Sequence, residues 1–151
     1  MAAVPFWDML ANRTLWAVLV SGLSTQVLKA FSSIIREKRL NWHRVLEAGG
    51  MPSSHSASSV TLAALVGLKL GFESIYFTVA LYIAFVVMYD AAGIRRAVGR
   101  QSIILNRIIE SRTLKKRTGG ETLKELLGHT PLEVLVGAVI GLAWALIFHY
   151  A

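Results

Sequence analysis

Four stretches of this 151-residue chain are apolar over the length that a bilayer demands, and this limits its possible folds more than any other feature. A membrane-crossing helix takes about 17–25 mostly apolar residues, because in hydrocarbon each backbone N–H and C=O must be paired internally. The runs are Thr14 to Ile35, Ser56 to Phe72, Ser74 to Ile94 and Pro131 to Tyr150. The first carries Gln26 and Lys29, and the second is rich in serine. Composition agrees: 54% of residues are hydrophobic and 17% charged, against about 25% charged in an ordinary soluble domain. A soluble chain this short has too little interior to hide so much apolar side chain. The expectation is an all-α integral membrane helical bundle of about four transmembrane helices, forming one domain over residues 1–151. The long first run, with no small-residue cleavage site after it, reads as a span rather than a signal peptide. With no cysteine, a disulfide framework, a thiolate nucleophile and a Cys-ligated metal are excluded.

The formal net charge is +7, and thirteen of the 16 Lys and Arg residues lie in two places. One group (Arg36, Lys38, Arg39, Arg44) follows the first apolar run. The other, Arg95 through Lys124, follows the third. Both loops therefore fall on one side of the membrane. The positive-inside rule makes that side cytoplasmic, or its organellar equivalent, and puts both termini on the opposite side. In an apolar chain this excess points to anionic headgroups or phosphorylated substrates rather than nucleic acid. Within the second loop, Ile103, Ile104, Ile108 and Ile109 recur at helical spacing. The segment Arg95 to Gly128 reads as an amphipathic interfacial helix, broken at Thr118-Gly119-Gly120, with a short helix to Leu127.

Polar residues inside apolar runs cost about 2.5–3.5 kcal/mol each when charged, so they call for an explanation. Lys29 and Arg36 are seven apart, about two turns, and share a helix face. They either snorkel to headgroups or hold an anion. Asp90 lies within two turns of Arg95 and Arg96, where it either pairs with them to close the bundle or supports a site.

The segment Gly49-Gly50-Met51-Pro52-Ser53-Ser54-His55-Ser56-Ala57 is rich in signals. Two glycines let backbone approach a ligand, and Ser53 or Ser54 can cap the helix that follows. A helix N-terminus offers unpaired amides and a positive dipole end, which suits phosphate. His55 falls in the first turn, placed to protonate a leaving alkoxide. Plain capping is the simpler alternative. The segment Gly128-His129-Thr130-Pro131-Leu132-Glu133 puts His129 and Glu133 four apart, so a carboxylate can steady an imidazole that attacks as a nucleophile. Thr130, Pro131 and Glu133 also spell a capping box, a competing use for Glu133. Both histidines fall at the basic ends of their runs, together with Lys29, Arg36, Arg95 and Arg96.

In combination, GGMPSSHSA, the stretch Asp90 to Gln101 and LKELLGHTPLEV resemble the divergent branch of the type 2 phosphatidic acid phosphatases, relatives of acid phosphatases and vanadium haloperoxidases. The parent superfamily carries Lys, six residues, then Arg-Pro. Lys29 and Arg36 keep that spacing, with Glu37 where the proline stands. Its Pro-Ser-Gly-His is matched by Pro52-Ser53-Ser54-His55. Its third motif, Ser-Arg, five residues, His, three residues, Asp, survives as His129 and Glu133, while Thr122 and Leu123 occupy the Ser-Arg positions. Arg95, Arg96 or the displaced Lys124 remains to supply the missing cation.

The resemblance implies a membrane phosphatase acting on a lipid phosphate, with a phosphatidylglycerophosphate-like monoester favoured by an inner-face site. His129 is then the nucleophile, Glu133 its support and His55 the acid. Lys29, Arg36, Ser53, Ser54, Arg95, Arg96 and Lys124 bind the phosphoryl group, with Gln26 and Asp90 supporting. No metal or other cofactor is expected, and vanadate, a mimic of five-coordinate phosphorus, is expected to inhibit. The expected partners are the bilayer and a lipid substrate, with a homodimer as a way to seal the pocket and no nucleic acid. The expected location is multi-pass, in a bacterial plasma membrane or an organellar membrane. The alternative function is a non-enzymatic membrane protein that binds phosphorylated lipid or organises a complex.

Overall fold

A computed structural model describes residues 6–37, 50–109 and 128–151, with no side chain described for residues 6, 33 and 35–37. A short 3-10 turn, Phe6–Ala11, leads into α1, Arg13–Glu37. Asn12 opens α1 by accepting the Leu15 N–H on its side-chain oxygen at 3.1 Å. Then follow α2, Ser54–Leu70; α3, Ile75–Ala92; α4, Ile94–Ile109; and α5, Pro131–Tyr150. Among the described residues there is no strand.

Each boundary has a local cause. Ser53 caps α2 and Ser74 caps α3, each side chain accepting an N–H three residues on. Gly71 ends α2 at φ 89°, a left-handed conformation that glycine adopts freely. The second apolar run therefore begins two residues earlier than its hydropathy suggests. Gly93 alone separates α3 from α4.

Among the described residues, three segments are long and apolar enough to cross a membrane: Arg13–Ser32, Ile75–Ile109 and Pro131–Tyr150. The Ser-rich α2, at 17 residues, occupies the middle and packs against α1, α3 and α5. Its central place explains its composition. Ser56, Thr61, Ala57, Ala63 and Leu65 are buried among the other helices, so α2 presents little surface that must be greasy.

Small residues line the inward faces and large ones point out. In α1 the buried stripe is Ala17, Ser21, Thr25 and Lys29, a strict four-residue repeat. In α3 the buried positions are Ala80, Ala84 and Ala91, while Ile75, Tyr76, Val79, Tyr82 and Phe85 are exposed. This inverts a soluble protein and fits a bundle solvated by lipid, where backbones meet through small residues. The closest approach is α2 against α5. A Cβ on Gly137 would strike the Ser53 carbonyl, and one on Gly141 the Ala57 carbonyl. Beside them the buried Thr61 hydroxyl lies 2.9 Å from the Gly141 carbonyl and 2.8 Å from Ser21 Oγ. Trp144 Nε1 donates to Ser24 Oγ at 2.9 Å and fastens α5 to α1.

The chain thus forms an all-α bundle, as its hydropathy predicts, but among the described residues it has three membrane-length apolar segments rather than about four, because the second run forms the 17-residue, Ser-rich α2. The amphipathic helix expected from Arg95 is α4. Its continuation from residue 110, including the break at 118–120 and the short helix to Leu127, lies outside the described residues.

Candidate functional site

Three backbone contacts assemble one end of the bundle. The Ser53 N–H donates to the Glu133 carbonyl at 3.1 Å, joining the start of α2 to the first turn of α5. The His129 N–H donates to the Ala91 carbonyl at 3.1 Å, fixing the approach to α5 on the end of α3. Gly128 lies so close to the backbone of Arg95 and Arg96 that a Cβ there would clash with it. The segment before α5 is thereby pressed onto the α3–α4 junction. Gly128, a residue that the motif contains but that no chemistry singled out, is the spacer that permits this.

The two rival uses of Glu133 turn out to be simultaneous. Its Oε2 accepts the Thr130 N–H at 3.0 Å while Thr130 Oγ1 accepts the Glu133 N–H at 3.3 Å, a complete capping box. The same Oε2 lies 3.2 Å from His129 Nδ1. Because that oxygen accepts, His129 Nδ1 carries the proton and Nε2 keeps its lone pair. One side chain both caps the helix and sets the tautomer of the imidazole.

His129 is only 3% exposed. Burial lowers its pKa from the ordinary histidine value. Its hydrogen bond to Glu133 pulls the other way, and the charges of Lys29 and His55 push it down further. The ring is therefore held neutral, the form that a nucleophile needs. His55 sits exposed in the first turn of α2. Desolvation by surrounding protein, then the charges of Arg95 and Lys29, lower its pKa, while Asp90 raises it.

Those mutual influences show which predicted residues share a neighbourhood. Lys29 acts on both histidines, and His55 acts on His129. The Lys29 stem lies on the inward stripe of α1 and is 6% exposed, within electrostatic reach of Glu133. Ser53 is fully buried, its Oγ accepting from Ser56 Oγ at 3.0 Å. Ser54 Oγ accepts from Gln26 Nε2 at 3.4 Å. The first N–H groups of any helix lack intrahelical acceptors, and those of Ser54 and His55 open α2 at this end. Asp90 accepts Arg95 Nε at 2.7 Å, so the ion pair that sequence proximity suggested does form. Arg95 and Arg96 stand beside the site through their backbone contact with Gly128. Arg36 lies in the last turn of α1, but its side chain is outside the described set, as is all of Lys124. Among the described residues, no group of three His, Asp or Glu side chains gathers as a metal site requires.

The arrangement holds a neutral, oriented imidazole, a second imidazole, an ammonium and a helix N-terminus together at the basic end of the bundle. The model of the divergent PAP2 family matches residues 10–144. A membrane protein of Bacillus subtilis (strain 168), described as uncharacterized membrane protein YuiD, is 35% identical over 154 residues. That alignment takes in 95% of this chain and 98% of the relative. No solved structure matches.

Proposed function

The chain belongs to the divergent PAP2 family, and from that premise we propose that it hydrolyses a lipid phosphate monoester by way of a phosphohistidine at the cytoplasmic face. The observation that carries this reading is His129, buried, neutral and held by Glu133, under the joint influence of Lys29 and His55.

The substrate's tail stays in the bilayer and its phosphate enters at the basic end. Lys29, Arg36 and Arg95 or Arg96 draw the phosphoryl oxygens, with amides at the start of α2 adding donors. His129 Nε2 attacks phosphorus in line. A nitrogen–phosphorus bond forms as the bond to the leaving alcohol oxygen breaks, and His55 gives its proton to that oxygen. Glu133 stabilises the imidazolium as it forms. A water then attacks the phosphohistidine and gives a proton to His55; the new oxygen–phosphorus bond forms as the nitrogen–phosphorus bond breaks, and inorganic phosphate leaves with His129 neutral again. Uncatalysed phosphate-monoester hydrolysis is slow enough that such a site must lower the barrier by roughly 20 kcal/mol or more. Cations aimed at the phosphoryl oxygens supply the largest share.

Charge asymmetry supports an inner-face site with both termini outside, which suits phospholipid synthesis and a phosphatidylglycerophosphate-like substrate. Cysteines placed at Glu73 and Arg100 test this: the first is expected to label from outside and the second from inside, and the reverse pattern overturns the orientation.

The deciding measurement is phosphate release by purified protein from a panel of lipid phosphates. Release is expected to vanish in His129→Ala, fall sharply in His55→Ala and stop with vanadate. Parent protein quenched during turnover is expected to carry acid-labile, alkali-stable phosphate, absent from His129→Ala. If both variants match the parent rate, the catalytic roles assigned to the two histidines are wrong; if the parent itself releases no phosphate from any of these lipids, lipid-phosphate binding without turnover takes the place of hydrolysis.

A further inference from the structure

One group beside the site has an unmet demand. Among the described residues, Gln26 Oε1 is buried without a hydrogen-bond partner, while its Nε2 makes a long contact of 3.4 Å to Ser54 Oγ. A buried polar atom left unpaired costs about 1–3 kcal/mol, so it marks either water or a ligand that completes it. The terminal torsion of glutamine is broad, so this loosely held carboxamide turns at little cost.

Gln26 also lines a groove of about 520 Å³ between α1 and α2, bordered by Val87 of α3. Leu19, Leu23, Leu62 and Val87 give it apolar walls, and Gln26 and His55 stand together at one end. From His55 to Leu62 is seven residues of helix, about 10 Å. The groove therefore runs from the acid of the proposed reaction into the apolar part of the bundle. An alkyl chain lying there puts its head beside His55, and the first atoms past the scissile oxygen beside Gln26.

The geometry points to Gln26 as a specificity-determining residue that reads a free hydroxyl on the leaving alcohol, next to the phosphate ester. This rests on the reading of His55 as the acid facing the leaving oxygen. The hydroxyl donates to Gln26 Oε1, supplying the missing partner. A leaving alcohol without that hydroxyl leaves the carbonyl unpaired. The substrate class is thus a phosphate ester of a hydroxylated alcohol, such as a glycerol with its central hydroxyl free. Fully acylated phosphatidic acid and prenyl phosphates fall outside it.

The test uses two lipids alike in tail and phosphate: a 1-acylglycerol 3-phosphate and the analogue lacking its 2-hydroxyl. With the full-length protein in detergent, kcat/KM is expected to favour the hydroxylated lipid by roughly ten- to a hundredfold. In Gln26→Leu and Gln26→Met the ratio is expected to fall close to one, with thermal unfolding showing which variant is folded. Turnover of both lipids at equal kcat/KM by the parent protein, or an unchanged ratio in a folded Gln26 variant, overturns the assignment while leaving the phosphatase reading intact. Binding separates the two ideas from the other side. On His129→Ala protein, displacement of a fluorescent lipid phosphate is expected to show the same preference, lost when Gln26→Leu is added. If no lipid phosphate is hydrolysed but this Gln26-dependent preference persists, the phosphatase reading falls, and with it the leaving-group role, while Gln26 stands as the reader of that hydroxyl in a bound lipid phosphate. Equal binding of both lipids overturns it.

Discussion

The two ends of this bundle carry nearly the same polar residues and put them to opposite use. One end has Lys29, His129, Glu133 and the capping residue Ser53; the other has Lys69, His149, Glu73 and the capping residue Ser74. Lys29 is buried on the inward stripe of α1, whereas Lys69 is exposed and donates to Thr14 Oγ1 at 3.0 Å. His129 is held by Glu133, while His149 lies edge-on to Tyr150 with ring centroids 4.8 Å apart. Ser53 is tied across the bundle to α5, while Ser74 closes a local turn by donating to the Gly71 carbonyl at 2.8 Å. At the second end these groups do not meet: Lys69 turns to Thr14, His149 to its neighbour Tyr150 and Ser74 to its own turn. At the first they converge, because Gly128 and Gly137 let three backbones come close together. Residue type is thus shared between the ends, and convergence is what differs.

That contrast breaks most visibly at the histidines. His129→Ala is expected to reduce phosphate release at least a thousandfold, and His149→Ala to leave it within a factor of two. Equal losses at the two would erase the distinction. The lysines come next. Lys29→Met is expected to lower kcat/KM by about a hundredfold or more through lost charge stabilisation, with Lys69→Met close to the parent in the same assay.

Glycines sharpen the comparison through stability. Gly137→Ala forces its methyl onto the Ser53 carbonyl and Gly141→Ala onto the Ala57 carbonyl. Each is expected to destabilise by about 1–3 kcal/mol, read as a lower thermal midpoint. Of the two, Gly137→Ala displaces the start of α2, so it is expected to lose more activity for the same loss of stability.

The smallest effect is on pH. Turnover needs His129 neutral and His55 protonated, which gives a bell-shaped profile whose apparent pKa values belong to the interacting pair. Burial lowers the His129 pKa, so the acid limb is expected below the ordinary histidine value of 6.5. Glu133 raises that pKa, so Glu133→Gln is expected to move the acid limb to still lower pH while reducing the plateau rate. A limb that moves upward contradicts the contact between the two side chains.

The helices were legible because hydropathy and helix signals are local. Thr130-Pro131 with Glu133 starts α5 where the capping pattern predicts. The serine-rich α2 was harder: its composition suggests a poor span, and only its central position explains why polar side chains suit it. Lys29 and Asp90 were ambiguous for a related reason. Whether a charge inside an apolar run snorkels or faces inward depends on neighbours that spacing alone does not reveal. Gly128 gave almost no signal, since a glycine before a histidine does not disclose which backbone it must admit. Gln26 stood out as a polar residue in an apolar run, but its unpartnered oxygen became visible only once the helices around it were in place.

The amino-acid sequence by itself determined the helices, their lipid-facing character, the basic side and the pair of motifs, because periodicity, caps and charge act over a few residues. Tertiary structure decided that His55 and His129 share one neighbourhood with Lys29, that Glu133 serves cap and imidazole at once, and that Asp90 holds Arg95. The last two choose among uses that local spacing had left open; the first depends on contacts between segments up to about a hundred residues apart, brought together by close packing of small residues in a lipid-solvated bundle, where distance along the chain carries little information about distance in space.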